Sequence, residues 1–214
     1  MTKHQESGRR RAARREARAV RVQLLIAHPI ADSYCAALAE RARDTLRRDG
    51  HDVREIDLYR DNFDPRLSSR ERGSYFGDFD ASAVASYVDT LRWAEGLVFV
   101  FPQWWFNMPA ILKGYFDRVW APGVAFGHDL ASGRILPLLG GVRQFCVITT
   151  FGSPWWVVEF HMRNPVRAQL KRGLAAACAP QARFRMLSLY DMDRATLMKR
   201  ERFLGQVERE MACF

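Results

Sequence analysis

The chain reads as an α/β domain: a doubly wound sheet of five parallel strands in the order 2-1-3-4-5, with helices on both faces. Three observations lead there. Short, almost continuously apolar runs recur along the chain, as expected of strands buried on both faces. Segments of helical spacing separate them, and right-handed crossovers then force a layered sandwich. With five strands this connectivity favours the 2-1-3-4-5 order and a ligand crevice where the winding reverses, between strands one and three.

The elements follow in order. Val22–His28 (VQLLIAH) is the first strand, and Ser33–Arg48 the first helix, with Tyr34, Ala37, Leu38, Ala42 and Leu46 at helical spacing and Gly50 as its stop. Either Asp32 or Ser33 can cap it; Asp32 is expected to face away from any bound phosphate. Val53–Leu58 is strand two. Residues 59–80 show no period and form a long polar, aromatic connection, the kind that is often functional. Ala83–Ala94 is a helix, Gly96–Phe101 strand three, and Pro109–Val119 a helix with proline in its first turn. Gln144–Thr150 is strand four. A helix lies within Trp156–Cys178, interrupted by Pro165, and Phe184–Tyr190 is strand five. Asp193 is the expected cap of a last helix with Leu197, Leu204, Val207 and Met211 inward.

Of the net charge of +9 on 214 residues, +6 falls in residues 1–21, where eight basic side chains face Glu6 and Glu16. Residues 1–20 therefore read as a basic, disordered tail and 21–214 as a single domain without a nucleic-acid-binding charge pattern. The tail has no apolar core of a secretory signal, and no run reaches the roughly 18 apolar residues of a membrane span. Cys35, Cys146, Cys178 and Cys213 have no paired spacing, and the five histidines include no ligand pair. Reduced thiols, a cytoplasmic location and no metal are the expectation.

Chemistry should sit beyond the carboxyl ends of the strands. There stand His28-Pro29-Ile30-Ala31-Asp32-Ser33, Pro102-Gln103-Trp104-Trp105-Phe106-Asn107, and Thr149-Thr150-Phe151-Gly152-Ser153-Pro154-Trp155-Trp156. Four of the six tryptophans fall in two of these loops, which suits a flat ligand that stacks. No glycine-rich dinucleotide fingerprint, P-loop or nucleophile elbow is present. The helix after strand one instead offers a phosphate its unspent N–H groups and dipole, with His28 and Ser33 as further donors.

The block FVFPQWWFNMPAILKGYFDRVW (Phe99–Trp120), with LLIAHP at 24–29 and VITTFG at 147–152, resembles the NAD(P)H:quinone oxidoreductase family, the DT-diaphorase branch of the flavodoxin-like flavoproteins. The likeness runs in register from about Val22 to Gly152. It implies a flavodoxin-like fold, a non-covalent FAD or FMN, NAD(P)H as donor, two-electron ping-pong transfer to a quinone-like acceptor, and a homodimer. By position, His28, Ser33, Tyr34 and Cys35 would line the flavin phosphates. Pro102, Gln103, Trp104, Trp105 and Phe106 would flank the ring, and Thr149, Thr150, Phe151 and Gly152 its pyrimidine side. Phe126 and His128 fall among the family's substrate-pocket aromatics, with Trp155 and Trp156 as further substrate-binding candidates, either of which would cover the open ring face. Trp155, Trp156 and His161 stand nearest the Tyr and His that the family places beside the flavin, Trp155 and His161 being the catalytic candidates. Cys35 stands where asparagine is frequent and Phe151 where glycine is. The rival readings are reduction of azo or nitro compounds at the same site, and an electron-carrying or regulatory flavoprotein such as an ancillary subunit of a potassium-efflux system.

Overall fold

The computed structural model describes residues 19–129 and 132–214; the basic tail expected over residues 1–20 lies almost wholly outside them. The central sheet has the order β2-β1-β3-β6-β7 and every pairing in it is parallel. Its strands are β1 (Arg21–Ile26), β2 (Asp52–Asp57), β3 (Gly96–Gln103), β6 (Gln144–Phe151) and β7 (Arg183–Leu189). This is the predicted 2-1-3-4-5 arrangement with a small antiparallel hairpin, β4 (Phe126–His128) and β5 (Ile135–Pro137), inserted before the fourth parallel strand. No strand is predicted there, because each arm is three residues long and β5 is exposed along its length.

Alternation along β3 explains both layers of the core. Leu97, Phe99 and Phe101 enter one apolar cluster, with α3 (Ala85–Trp93) and α4 (Ala110–Val119). Val98 and Val100 enter the other, with α1 (Tyr34–Arg48) and α6 (Leu197–Met211). Eight consecutive buried residues in β3 are therefore a strand packed on both faces. The only polar side chain within the first strand's core, Gln23, donates from Nε2 to Tyr115 Oη across 3.0 Å.

Residues 59–80 contain structure that their sequence hides. Ser68 and Glu71 form a capping box that starts a short helix, α2 (Ser69–Gly73). Arg118 of α4 donates to the buried Glu71 carboxylate from Nε at 2.8 Å and Nη2 at 2.7 Å, and from Nη1 to the Asp64 carbonyl at 2.6 Å. Burial pushes the Glu71 carboxyl up, but the hydrogen bonds from Arg118 and Ser68 outweigh it and hold the group below the ordinary carboxylate value. The same approach requires Gly114, since a Cβ there would stand 2.2 Å from the Pro65 carbonyl oxygen.

Three boundaries differ from the sequence analysis. Ser33, not Asp32, caps α1, its Oγ accepting from the Ala36 amide at 3.2 Å. Pro165 begins a helix instead of interrupting one: Asn164, left-handed at φ 43°, accepts the Arg167 amide, and Pro165–Ala168, Gln169–Ala175 and Ala176–Cys178 run on as one segment, α5. Thr196 caps α6, accepting from the Lys199 amide, so Asp193 is released from that role. Among the described residues there is no cluster of potential metal ligands and no helix long and apolar enough to cross a membrane.

Candidate active site

A crevice of about 580 Å³ opens at the carboxyl ends of β1, β3 and β6, where the winding of the sheet reverses. It is lined by His28, Tyr34 and Cys35 from the first loop and helix, Pro102–Phe106 from the second loop, and Thr150, Phe151 and Gly152 from the third. Register fixes this convergence: Ile26 pairs with Val100, and Pro102 and Gln103 pair with Thr150 and Phe151.

The β1 side is built to donate. His28 Nδ1 lies 3.1 Å from the Ile30 amide and 3.2 Å from the Ile30 carbonyl oxygen, so that backbone engages it in either tautomer. The amides of Tyr34 and Cys35 lie in the first turn of α1, where no intrahelical carbonyl reaches them. The Tyr34 hydroxyl donates to the Arg200 carbonyl at 2.7 Å and so ties this turn to α6. Cys35 Sγ lies 3.9 Å from Thr150 Oγ1, and burial pushes its thiol up to about 12. The thiol is therefore neutral, neither nucleophile nor counter-charge.

The β3 side is an aromatic turn. Trp104 and Asn107 exchange backbone hydrogen bonds of 3.0 Å each, and the residues between them, Trp105 and Phe106, have φ of 52° and 57°. Two bulky residues in left-handed backbone cost roughly 1–2 kcal/mol each, and such strain gathers at functional sites. The turn leaves Trp105 95% exposed and sets Trp104 beside His28 with ring centroids 6.1 Å apart.

The β6 side is braced from behind. Thr149 is fully buried and its hydroxyl donates to the Phe101 carbonyl at 2.7 Å, so its side chain ties β6 to β3 and does not line the crevice. Phe151 stacks on Tyr190 at 5.1 Å and 11°. The Tyr190 hydroxyl donates to Glu159 Oε1 at 2.5 Å, and Arg167 and Asn164 donate to the same carboxylate. Burial pushes the Glu159 carboxyl up, but these bonds prevail and hold it below its ordinary value.

The other predicted residues stand elsewhere. Ser33 is the helix cap and lines a neighbouring hollow whose walls carry charged side chains such as Glu40, Arg43, Asp57 and Arg60. Trp155, Trp156 and Phe160 are exposed, Trp155 and Phe160 edge to face at 5.4 Å, and His161 ends a single wide turn, Val157–His161. Phe126 lies in a second pocket, also of about 580 Å³, with Leu67, Tyr75, Asp117 and Trp120; His128 packs against Phe126 and Phe76. Three further residues, none of them predicted to bind a ligand, also line the crevice: Ser153, Met192 and Asp193. Asp193 lies so close that a Cβ on Gly152 would meet its Oδ2 at 2.8 Å. Its position in the last connection, at the carboxyl end of β7, was the signal available.

A family model for the flavodoxin-like fold matches residues 20–199. An uncharacterized NAD(P)H oxidoreductase of Escherichia coli is 35% identical over 131 residues, 58% of this chain and 66% of the relative, a little under two thirds of its length. One of Haemophilus influenzae is also 35% identical, over 72% of this chain and 76% of its own. The solved NAD(P)H:quinone oxidoreductase of Methanothermobacter marburgensis superimposes with a TM-score of 0.76 at 26% identity, covering 91% of this chain and 96% of that one. The chain belongs to the flavodoxin-like fold family and, within it, to the NAD(P)H oxidoreductase and quinone reductase relatives.

Proposed function

We propose that the chain is a flavin-dependent NAD(P)H oxidoreductase that passes two electrons to a quinone or similar electron-poor aromatic. The observation that carries this is the crevice: aromatic rings and backbone amides around a slot at the switch point, with a Cys35 thiol held protonated by burial and, among the described residues, no cluster of potential metal ligands. Chemistry there calls for a resident group, and the residues fit a flavin. Trp104, Trp105, Phe106 and Phe151 wall the slot for a flat ring, and the α1 end offers His28 Nε2 and two open amides to a phosphate.

When bound, a flavin supplies hydride acceptance and donation; the chain supplies orientation and electrostatics. Trp104 and Phe106 would give the ring a flat wall, Phe151 backed by Tyr190 would close the far side, and the amides of Thr150–Gly152 would be available to negative charge on it. Trp105, 95% exposed on the strained turn, would shield the open face from water. NAD(P)H and acceptor would use that face in turn. Asp193 opposes anions at one end of the crevice, so a phosphate belongs at the α1 end.

A homodimer is part of the proposal. Phe126 lines the second pocket and His128 packs against it, neither of them in the crevice, while Trp155, Trp156 and Phe160 leave an apolar surface exposed. A second copy that covers this surface and brings its second pocket over the crevice would reunite the two sets.

The test is an absorption spectrum after incubation with FMN and with FAD, followed by anaerobic NADPH or NADH and then a soluble benzoquinone. Visible bands that bleach and return support the reading. A colourless protein overturns the cofactor, and bands that neither nucleotide bleaches overturn the oxidoreductase.

A further inference from the structure

The crevice carries one carboxylate that the fold does not use. Asp193, in the connection between β7 and α6, lines it beside Gly152. A Cβ on Gly152 would stand 2.8 Å from Asp193 Oδ2, so the missing side chain is what admits the carboxylate there. Asp193 is exposed and caps no helix, Thr196 having that role. Among the described residues no ion pair or hydrogen bond engages its carboxylate, and the cations nearest in sequence are spent elsewhere. Arg194 Nε donates to Asp191 at 2.8 Å, and Lys199 Nζ to the Tyr190 carbonyl at 2.6 Å.

Nothing on the walls balances that charge. Among the described residues no lysine or arginine lines the crevice. At the α1 end, Arg200 and Glu201 act on the Tyr34 hydroxyl with opposite sign. The crevice is therefore polarised, with the positive end of the α1 dipole on one side and an uncompensated carboxylate on the other. A phosphate takes the first side, and an aromatic that enters after the flavin meets the second. The substituents of such an acceptor sit on its ring, so their charge is carried close to Asp193. The phosphates of NAD(P)H are held off its nicotinamide by a ribose. We propose that Asp193 sorts acceptors by charge: neutral and cationic electron-poor aromatics are reduced, and those with a sulfonate or carboxylate on the ring are turned away. This rests on the oxidoreductase reading above and narrows its substrate class.

The test loads the protein with flavin, reduces it anaerobically with dithionite and mixes it with three acceptors built on one ring. These are 1,4-naphthoquinone, the same quinone with a sulfonate, and the same quinone with a trimethylammoniomethyl group. Reoxidation is followed by absorbance, so the nucleotide donor plays no part. The readout is the ratio of the sulfonate rate to the ammonium rate, and dividing by the wild-type ratio cancels the intrinsic reactivity of the quinones. Unit charges roughly 6–8 Å apart in a half-open site change a rate by about tenfold. Asp193→Asn is therefore expected to raise the ratio on the order of a hundredfold, about tenfold from each acceptor. Asp193→Lys should raise it further, and about 0.5 M salt should weaken the wild-type preference. Asp44→Asn removes an exposed carboxylate from α1, away from the crevice, and should keep the wild-type ratio. A ratio that Asp193→Asn leaves unchanged, or that Asp44→Asn shifts as far, overturns the proposal. A wild type that loads no flavin, or whose reduced form none of the three quinones reoxidises, instead overturns the reading on which the proposal stands.

Discussion

Arg118→Met tests how residues 59–80, a segment without a visible period, are held. Arg118 makes three donations inside the protein, two to Glu71 and one to the Asp64 carbonyl. Without it, Glu71 keeps only its bonds from the Ser68 amide and hydroxyl, each 2.7 Å, and remains a buried carboxylate without a counter-charge. Breaking one side of a buried pair costs about 3–5 kcal/mol, a fall in Tm of roughly 10 °C for a domain of this size. The Glu71→Met, Arg118→Met double variant removes both charges and should recover most of that loss, short of the Asp64 carbonyl left unpaired. The pH dependence has a defined sign. In wild type the folded Glu71 carboxyl lies below its ordinary value. Its contribution is therefore complete above the unfolded carboxyl value near ~4.3 and is lost as pH falls through the folded one. In Arg118→Met burial dominates and raises that carboxyl, so the variant gains relative to wild type on acidification. Urea unfolding at pH 7 and near pH 4.5 measures both. A single variant within about 1 kcal/mol of wild type, or a gap that does not narrow toward acid, would refute the account. The consequence reaches function, because this segment carries Leu67, Arg72 and Tyr75 into the second pocket.

Tyr190→Phe keeps the stack on Phe151 but removes the donation to Glu159, so urea unfolding should show a loss of about 1–2 kcal/mol together with weaker flavin binding; an unchanged midpoint would mean that the bond contributes nothing. Gly114→Ala should lose more than about 2 kcal/mol despite the better helix former, because the backbone of Pro65 cannot yield to the new methyl group; calorimetry of the variant decides it. Trp105→Asn sheds no packing, since the side chain is exposed, and asparagine tolerates left-handed backbone. Its apoprotein should gain up to about 1 kcal/mol while quinone reduction falls, and a variant unchanged in both would sink the strain argument.

The strands that build the crevice are legible because burial on both faces leaves a local trace. Leu97–Phe101 can be nothing but a central strand, and its carboxyl end then follows. What is not legible is held by partners far along the chain. Glu71 reads as one charge among many until Arg118, 47 residues away, is placed over it. Asp193 reads as a helix cap because Thr196, three residues on, competes for the same role, and only the packing of α6 decides between them. The three-residue arms of β4 and β5 carry too little alternation to register.

The same distinction sorts the site itself. His28, Pro102, Gln103, Thr150 and Phe151 all fall in the crevice because strand register fixes a strand's end to within one residue. Phe126, His128, Trp155, Trp156 and His161 do not, and each lies on a hairpin or wide turn whose place is set by tertiary contacts. Their distance from the crevice is therefore not evidence against a role there. Exposed tryptophans cost solubility and do nothing for the fold of one chain. A second copy that buries them would account for their exposure. Trp155→Ala and Trp156→Ala together should then shift sedimentation toward monomer and lower quinone turnover while leaving the monomer's melting nearly unchanged. A dimer that persists with full turnover would place the interface elsewhere.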